Sequence, residues 1–187
     1  MIDSTIANFI TEDVTPPSID TPASNQTVEC DGAGNIAQYQ TWLTSNGNAI
    51  ATDACGALSW TYVESGFVAS CGLAGSTSVA FTVTDECGNT SVTTASFIIQ
   101  DTTSPLIDVD PSDETVTCDG AGNTAELNTW LTNNGGASAS EDCGNVSWSH
   151  NAGPLSDDCG ATGTVSVTFT AIDECGNTDQ ALSLIHI

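Results

Sequence analysis

The sequence predicts a mainly β protein made of tandem β-sandwiches, each with one short α-helix inserted. The first observation is a repeat. Asp85-Glu86-Cys87-Gly88-Asn89-Thr90 returns unchanged, 88 residues later, as Asp173 to Thr178. The same shift carries Cys30, Cys55, Cys71 and Cys87 onto Cys118, Cys143, Cys159 and Cys175, and Ser59-Trp60 onto Ser147-Trp148. A fixed period of this size marks an array of small domains. The second observation is a set of short alternating apolar runs separated by Gly, Asn and Asp turns, the pattern of a Greek-key sandwich. The third is one stretch per repeat whose apolar residues fall at helical spacing.

Taken in order, Pro16-Pro17 and Ser104-Pro105 mark the seams, because proline pre-sets an extended backbone and resists helix. Residues 18–22 and 26–30 read as a broken first strand. Asp31-Gly32-Ala33-Gly34 is a turn, and Asn35 is expected to cap a helix. Ile36, Tyr39, Trp42 and Leu43 follow at helical spacing, and Asn46-Gly47 stops the run; Leu127, Trp130 and Leu131 repeat it. Both tryptophans are expected in the core. Residues 49–53 are short and extended. Leu58, Trp60 and Tyr62 alternate, as do Val146, Trp148 and His150, which describes a half-buried strand. Val79, Phe81 and Val83 alternate next, matched by Val167, Phe169 and Ala171. Ala95, Phe97 and Ile99 line the closing strand.

The chain has 187 residues, no Lys or Arg, and 24 Asp and Glu, a formal charge of −24. Nothing in it can neutralise phosphates, so nucleic acid and anionic membrane surfaces are excluded as partners. Hydrophobic content of 39% argues for a folded core despite the charge. No apolar run approaches a membrane span, and no cationic signal peptide opens the chain. A secretion signal is therefore expected elsewhere in a longer protein. Residues 5–13 align with residues 93–101, so residues 1–16 read as the last strand of a preceding repeat plus a linker. Repeat 1 is then 17–104 and repeat 2 is 105–187, with repeat 2 truncated before its own last strand. Residues 182–187 read as a translated sequencing adapter, although Ile185 and Ile187 fall where Phe97 and Ile99 sit.

Eight evenly repeated cysteines without a Cys-x-x-Cys knuckle read as disulfides in an oxidising compartment rather than as zinc sites. Four cysteines per repeat allow three pairings, and sequence alone does not decide among them. Residues 77–85 form one strand spanning roughly 30 Å. Cys71 and Cys87 flank it, whereas disulfide Cα atoms lie within about 7 Å, so those two do not pair. In an immunoglobulin-like topology the turns of Cys55 and Cys87 share one end, and Cys30 and Cys71 share the other. The expected bonds are Cys30–Cys71, Cys55–Cys87, Cys118–Cys159 and Cys143–Cys175.

Thr27-Val28-Glu29-Cys30, Trp42-Leu43, Ala51-Thr52-Asp53-Ala54-Cys55-Gly56, Thr84 to Asn89 and the seam Asp101-Thr102-Thr103-Ser104-Pro105 resemble the HYR-like repeats. The likeness is to a four-cysteine variety found in large surface and secreted proteins of Bacteroidetes-type bacteria. It covers nearly all of the chain except the last six residues. It implies an immunoglobulin-like fold and an extracellular adhesive or structural role, and it carries over no catalytic residue. Asp53 becomes Glu141 in the second copy, so any role for that carboxylate tolerates a longer side chain.

No catalytic constellation emerges from the sequence. His150 takes the strand position of Tyr62 and reads as a packed or surface imidazole. Abundant carboxylates without competing cations suit calcium, a hard ion that wants oxygen ligands. One candidate set is Asp13, Asp53, Asp85 and Glu86; the other is Asp101, Glu141, Asp142, Asp173 and Glu174. The plainer alternative is that Asp85 and Asp173 hydrogen-bond their own turns and the rest is solvated. The expected function is a non-catalytic stalk module on a bacterial surface, whose partners are neighbouring repeats. Calcium-dependent binding of glycans or surface proteins, or an accessory role in a secreted hydrolase, are the alternatives.

Overall fold

A computed structural model describes residues 11–156, 158, 160 and 162–187. Most of the strand assigned to a preceding repeat, and Cys159 with its expected bond to Cys118, lie outside the described residues. The protein is mainly β with two short helices. In chain order β1 (Ser18–Thr21), β2 (Gln26–Glu29), α1 (Ile36–Thr44), β3 (Ile50–Thr52), β4 (Ser59–Glu64), β5 (Val68–Ala69), β6 (Gly75–Thr84) and β7 (Thr90–Gln100) come from the first repeat. The second supplies β8 (Leu106–Val109), β9 (Glu114–Thr115), α2 (Thr124–Thr132), β10 (Ser138–Ser140), β11 (Ser147–Ala152), β12 (Thr164–Ile172) and β13 (Thr178–His186).

Each repeat builds the same layers. One sheet runs β2-β7-β6-β4 with β5 added to β6, and its counterpart runs β11-β12-β13-β9. The facing layer is a two-stranded ribbon, β1 with β3 and β8 with β10, beside the helix. Alternation puts Val79, Phe81 and Val83, all fully buried, on the inner face of β6, and Val167, Phe169 and Ala171 on that of β12. Trp42 meets Phe81 edge-on at 5.3 Å, and Trp130 meets Phe169 at 5.2 Å. The indole N–H groups donate to the Ser24 and Ser112 carbonyls, both at 3.0 Å, so each buried tryptophan is satisfied. Gly47, at φ +64°, lies under the Phe81 ring, where a Cβ would stand 2.9 Å from Cε2. Any larger residue there displaces the aromatic core.

Three local expectations change. Asn35 does not cap α1. It takes a left-handed φ of 53°, is buried, and its Nδ2 donates to the Glu29 carbonyl at 2.8 Å. Asn123 does the same with the Thr117 carbonyl at 2.9 Å and makes no side-chain cap to α2. The asparagine closes the preceding turn. On β4 only Trp60 is half-buried; Tyr62 is exposed, because this strand is a sheet edge. Finally, residues 182–186 continue β13: Ile185 is fully buried in the Phe97 position, and Ser183 donates to Asp113 Oδ1 at 2.9 Å.

The chain divides into two compact units that differ from the repeats 17–104 and 105–187. Unit 1 comprises Met1–Thr27, Ile36–Phe67 and Ser76–Ile98; unit 2 comprises Val28–Asn35, Val68–Gly75 and Ile99–Ile187. Two loops of the first sequence repeat thus belong to the unit built on the second. In unit 1, Tyr39 Oη and Thr77 Oγ1 are buried without a hydrogen-bond partner. Burial, then the nearby Glu64 charge, pushes the Tyr39 hydroxyl up to about 12. Because an unpaired buried hydroxyl costs about 1–3 kcal/mol, Tyr39→Phe is expected to be neutral or stabilising. The urea midpoint reads this, and a large loss would reveal a partner for the hydroxyl.

Candidate functional site

In unit 2 the loops carrying Cys30 and Cys71 fold onto the turns carrying Cys143 and Cys175. Cys30 follows β2, its N–H donating to the Gln100 carbonyl at 2.8 Å. Asp31 Oδ1 then accepts the Ala33 and Asn35 N–H groups, both at 2.9 Å, and closes the turn. Gly32 passes so near the Asp142 carbonyl that a Cβ would lie 3.0 Å from its oxygen. In the second loop Leu73 N–H donates to the Cys143 carbonyl at 3.0 Å. Neighbouring Gly72, at φ +52°, leaves no room for a Cβ against that same oxygen. The approach is closed by sulfur: Cys30 bonds Cys143, with Cα atoms 6.0 Å apart, and Cys71 bonds Cys175 at 5.1 Å.

These bonds replace the expected Cys30–Cys71 and Cys143–Cys175. The physical reason is the placement of the loops. Residues 28–35 and 68–75 belong to unit 2, so their cysteines meet the turns of the second repeat instead of one another. Cys55–Cys87 does not form either; both residues are exposed and unbonded among the described residues. Each observed bond joins a cysteine to one in the following repeat: Cys143 is the counterpart of Cys55, and Cys175 of Cys87.

Glu29 holds the same end, and sequence reasoning missed it. Its Oε1 accepts Thr102 N–H at 2.6 Å and Thr103 Oγ1 at 3.2 Å, and its Oε2 accepts Thr102 Oγ1 at 3.1 Å. The Thr102 N–H leads in holding its carboxyl below the ordinary value, against the effect of burial. The available signal was a departure between repeats, since Thr117 stands at the equivalent position.

The predicted calcium residues sort into two kinds. Asp85 and Asp173 bind their own turns. Asp173 Oδ1 accepts Cys175 N–H at 2.8 Å and Asn177 N–H at 2.9 Å, while its Oδ2 accepts Asn177 Nδ2 at 2.8 Å; Asp85 repeats this with Cys87 and Asn89. Burial raises the Asp173 carboxyl, but the Asn177, Cys175 and Gly176 donors outweigh it and hold the group below its ordinary value. Glu174 accepts Asn145 Nδ2 at 3.0 Å, Glu86 lies against Gly56, and Asp142 is exposed. By contrast, ligand atoms of Asp13, Asp53 and Cys55 lie within 4.8 Å of one another in unit 1, as do those of Asp101, Glu141 and Cys143 in unit 2. The Cys143 sulfur is already spent in a disulfide. Asp13 Oδ2 is buried without a partner. Asp101 is pushed above its ordinary value, first by burial and then by the charges of Asp173, Glu141 and Glu29.

No protein-family model matches the chain, and no curated protein matches it. Among solved structures it is similar to Drosophila N-cadherin EC1-4, at 9% identity and a TM-score of 0.39, over 92% of this chain and 49% of that one. It is also similar to human mucin-like protocadherin EC1-2, at 6% identity and a TM-score of 0.34, over 91% and 97% of the two chains. The chain spans about half the length of the N-cadherin structure. Likeness this distant carries no functional argument.

Two outcomes are expected. Joint replacement Cys30→Ser and Cys143→Ser should cost about 3–5 kcal/mol in denaturant unfolding, because the bond closes a sequence separation of 113 residues. Asp173→Asn should lower the melting temperature at neutral pH. A lowered carboxyl stabilises above the ordinary Asp range, and that gain is lost as pH falls through its folded value. The variant's stability should therefore fall less steeply than the parent's below about pH 4.

Proposed function

We propose that the chain is a non-catalytic structural or adhesive repeat module of an extracellular bacterial surface protein, a stalk segment of the HYR-like four-cysteine kind. The repeats are 17–104 and 105–187, and the partners of each are its neighbours in the chain. The observation that supports this reading is the pair of disulfides, Cys30–Cys143 and Cys71–Cys175, joining one sequence repeat to the next. Such bonds persist in oxidising compartments, which fits secretion. They supply no chemistry; they hold loops against turns. A charge of −24 keeps such segments from associating with one another.

A second reading is a calcium-dependent module that contacts glycans or surface proteins. The buried, unpartnered Asp13 Oδ2 beside Asp53 favours it, as does the pairing of Asp101 with Glu141 at the equivalent place. The donor chemistry fits a hard cation: Asp13 with Asp53, and Asp101 with Glu141, would hold it. Calcium takes six to eight oxygens, so main-chain carbonyls and water would complete the shell. The ion would neutralise Asp101, whose charged form burial and the neighbouring Asp173, Glu141 and Glu29 charges disfavour.

Melting the intact chain with reductant, with calcium and with chelator separates the two. The stalk reading expects reductant to lower the melting temperature sharply; no change would remove its support. The calcium reading expects the ion to raise the melting temperature and Asp53→Asn to blunt that rise. Identical curves in calcium and chelator would end it.

A further inference from the structure

The end of unit 1 that carries Cys55 and Cys87 repeats the end of unit 2 that carries Cys143 and Cys175. Cys55 N–H donates to Asp53 Oδ1 at 2.7 Å, as Cys143 N–H does to Glu141 Oε1 at 3.2 Å. Cys87 N–H donates to Asp85 Oδ1 at 2.9 Å, as Cys175 N–H does to Asp173 Oδ1 at 2.8 Å. Gly56, at φ +143°, lies against Glu86 as Gly144, at φ +157°, lies against Glu174. The chain even enters alike: Asn89 Nδ2 donates to the Asp13 carbonyl and Asn177 Nδ2 to the Asp101 carbonyl, both at 3.2 Å. One difference stands out. Cys143 is 3% exposed beneath the loop that bonds it, whereas Cys55 and Cys87 are exposed and unbonded.

We propose that the Cys55–Cys87 end is a covalent docking surface for a preceding repeat of the same type. That repeat presents two cysteines on loops like those of Cys30 and Cys71 and bonds them to Cys55 and Cys87 in turn. The occupant follows from three observations. The same turns already bond such loops in unit 2. Asp13 delivers the chain to unit 1 with the hydrogen bond that Asp101 makes in unit 2. The sequence before Asp13 aligns with the strand that leads to Asp101. Each bond takes two electrons and two protons from a pair of thiols. They pass to a disulfide oxidant of the compartment, either an oxidised dithiol oxidoreductase or an oxidised low-molecular-weight thiol, which is left as two thiols. The Cys55 thiol is not tuned as a nucleophile: the Asp13 charge, then burial and Asp53, raise it above the ordinary value. Its role is the finished bond.

This inference deepens the stalk reading and rests on it for the nature of the partner. The test places a copy of residues 17–100 ahead of Asp13 in the full chain, in place of residues 1–12, and produces the protein in an oxidising compartment. Non-reducing peptide mapping is expected to join Cys55 to the added counterpart of Cys30, and Cys87 to the added counterpart of Cys71. Alkylation of Cys55 and Cys87 should fall from near-complete in the parent chain to background. A Cys55→Ser version should lose the first link and keep the second. A Cys55–Cys87 bond, or continued alkylation of both, overturns the docking surface. If Cys30–Cys143 and Cys71–Cys175 are nevertheless found in the same digest, the stalk reading survives that failure; if they too are missing, both fall.

Discussion

Everything at the site depends on a covalent constraint: two sulfur–sulfur bonds fasten residues 113 and 104 positions apart in the chain. A unit of this size has a modest core, and long-range cross-links restrict its unfolded chain where added apolar burial is unavailable. The close backbone approaches at Gly32 and Gly72 make sense only with the bonds in place. Neither loop brings a large apolar side chain to hold it there; Leu73 remains substantially exposed.

Much of the architecture was legible because it rests on periodicity. Alternation in β6, β7 and β12 put the right residues inward, and helical spacing marked Trp42 and Trp130. The disulfide partners were not legible, for a reason of symmetry. A sequence that repeats without insertion looks the same whether a cysteine bonds within its own repeat or one repeat further on. Cys30 and Cys71 bond cysteines of the following repeat, and that choice of partner needed the loops' placement. Asn35 misled for another reason. Asparagine suits both a helix cap and a left-handed turn residue, and the demand of the Glu29 carbonyl won. Tyr62 alternates correctly but lies on an edge strand, where the inner face is only partly covered.

The electrostatics follow from the absence of Lys and Arg. With no cationic partner, each structured carboxylate is stabilised by N–H and hydroxyl donors: Asp85 and Asp173 by their own turns, Asp31 and Asp119 by theirs, and Glu29 by Thr102 and Thr103. Asp101 and Asp13 stand apart from that pattern. Asp101 has one backbone donor and acidic neighbours, and one oxygen of Asp13 has no partner at all. Ligand atoms of Asp13 and Asp53, and of Asp101 and Glu141, lie within 4.8 Å of each other.

The offset of the two bonds has a consequence for damage. One spans positions 30 to 143 and the other 71 to 175, so the spans overlap. A peptide bond severed anywhere between Cys30 and Cys175 leaves the fragments tethered through at least one bridge. A protease that nicks an exposed loop in this region does not release the part of the molecule beyond the cut. Only the combined loss of backbone and sulfur linkage would part the chain.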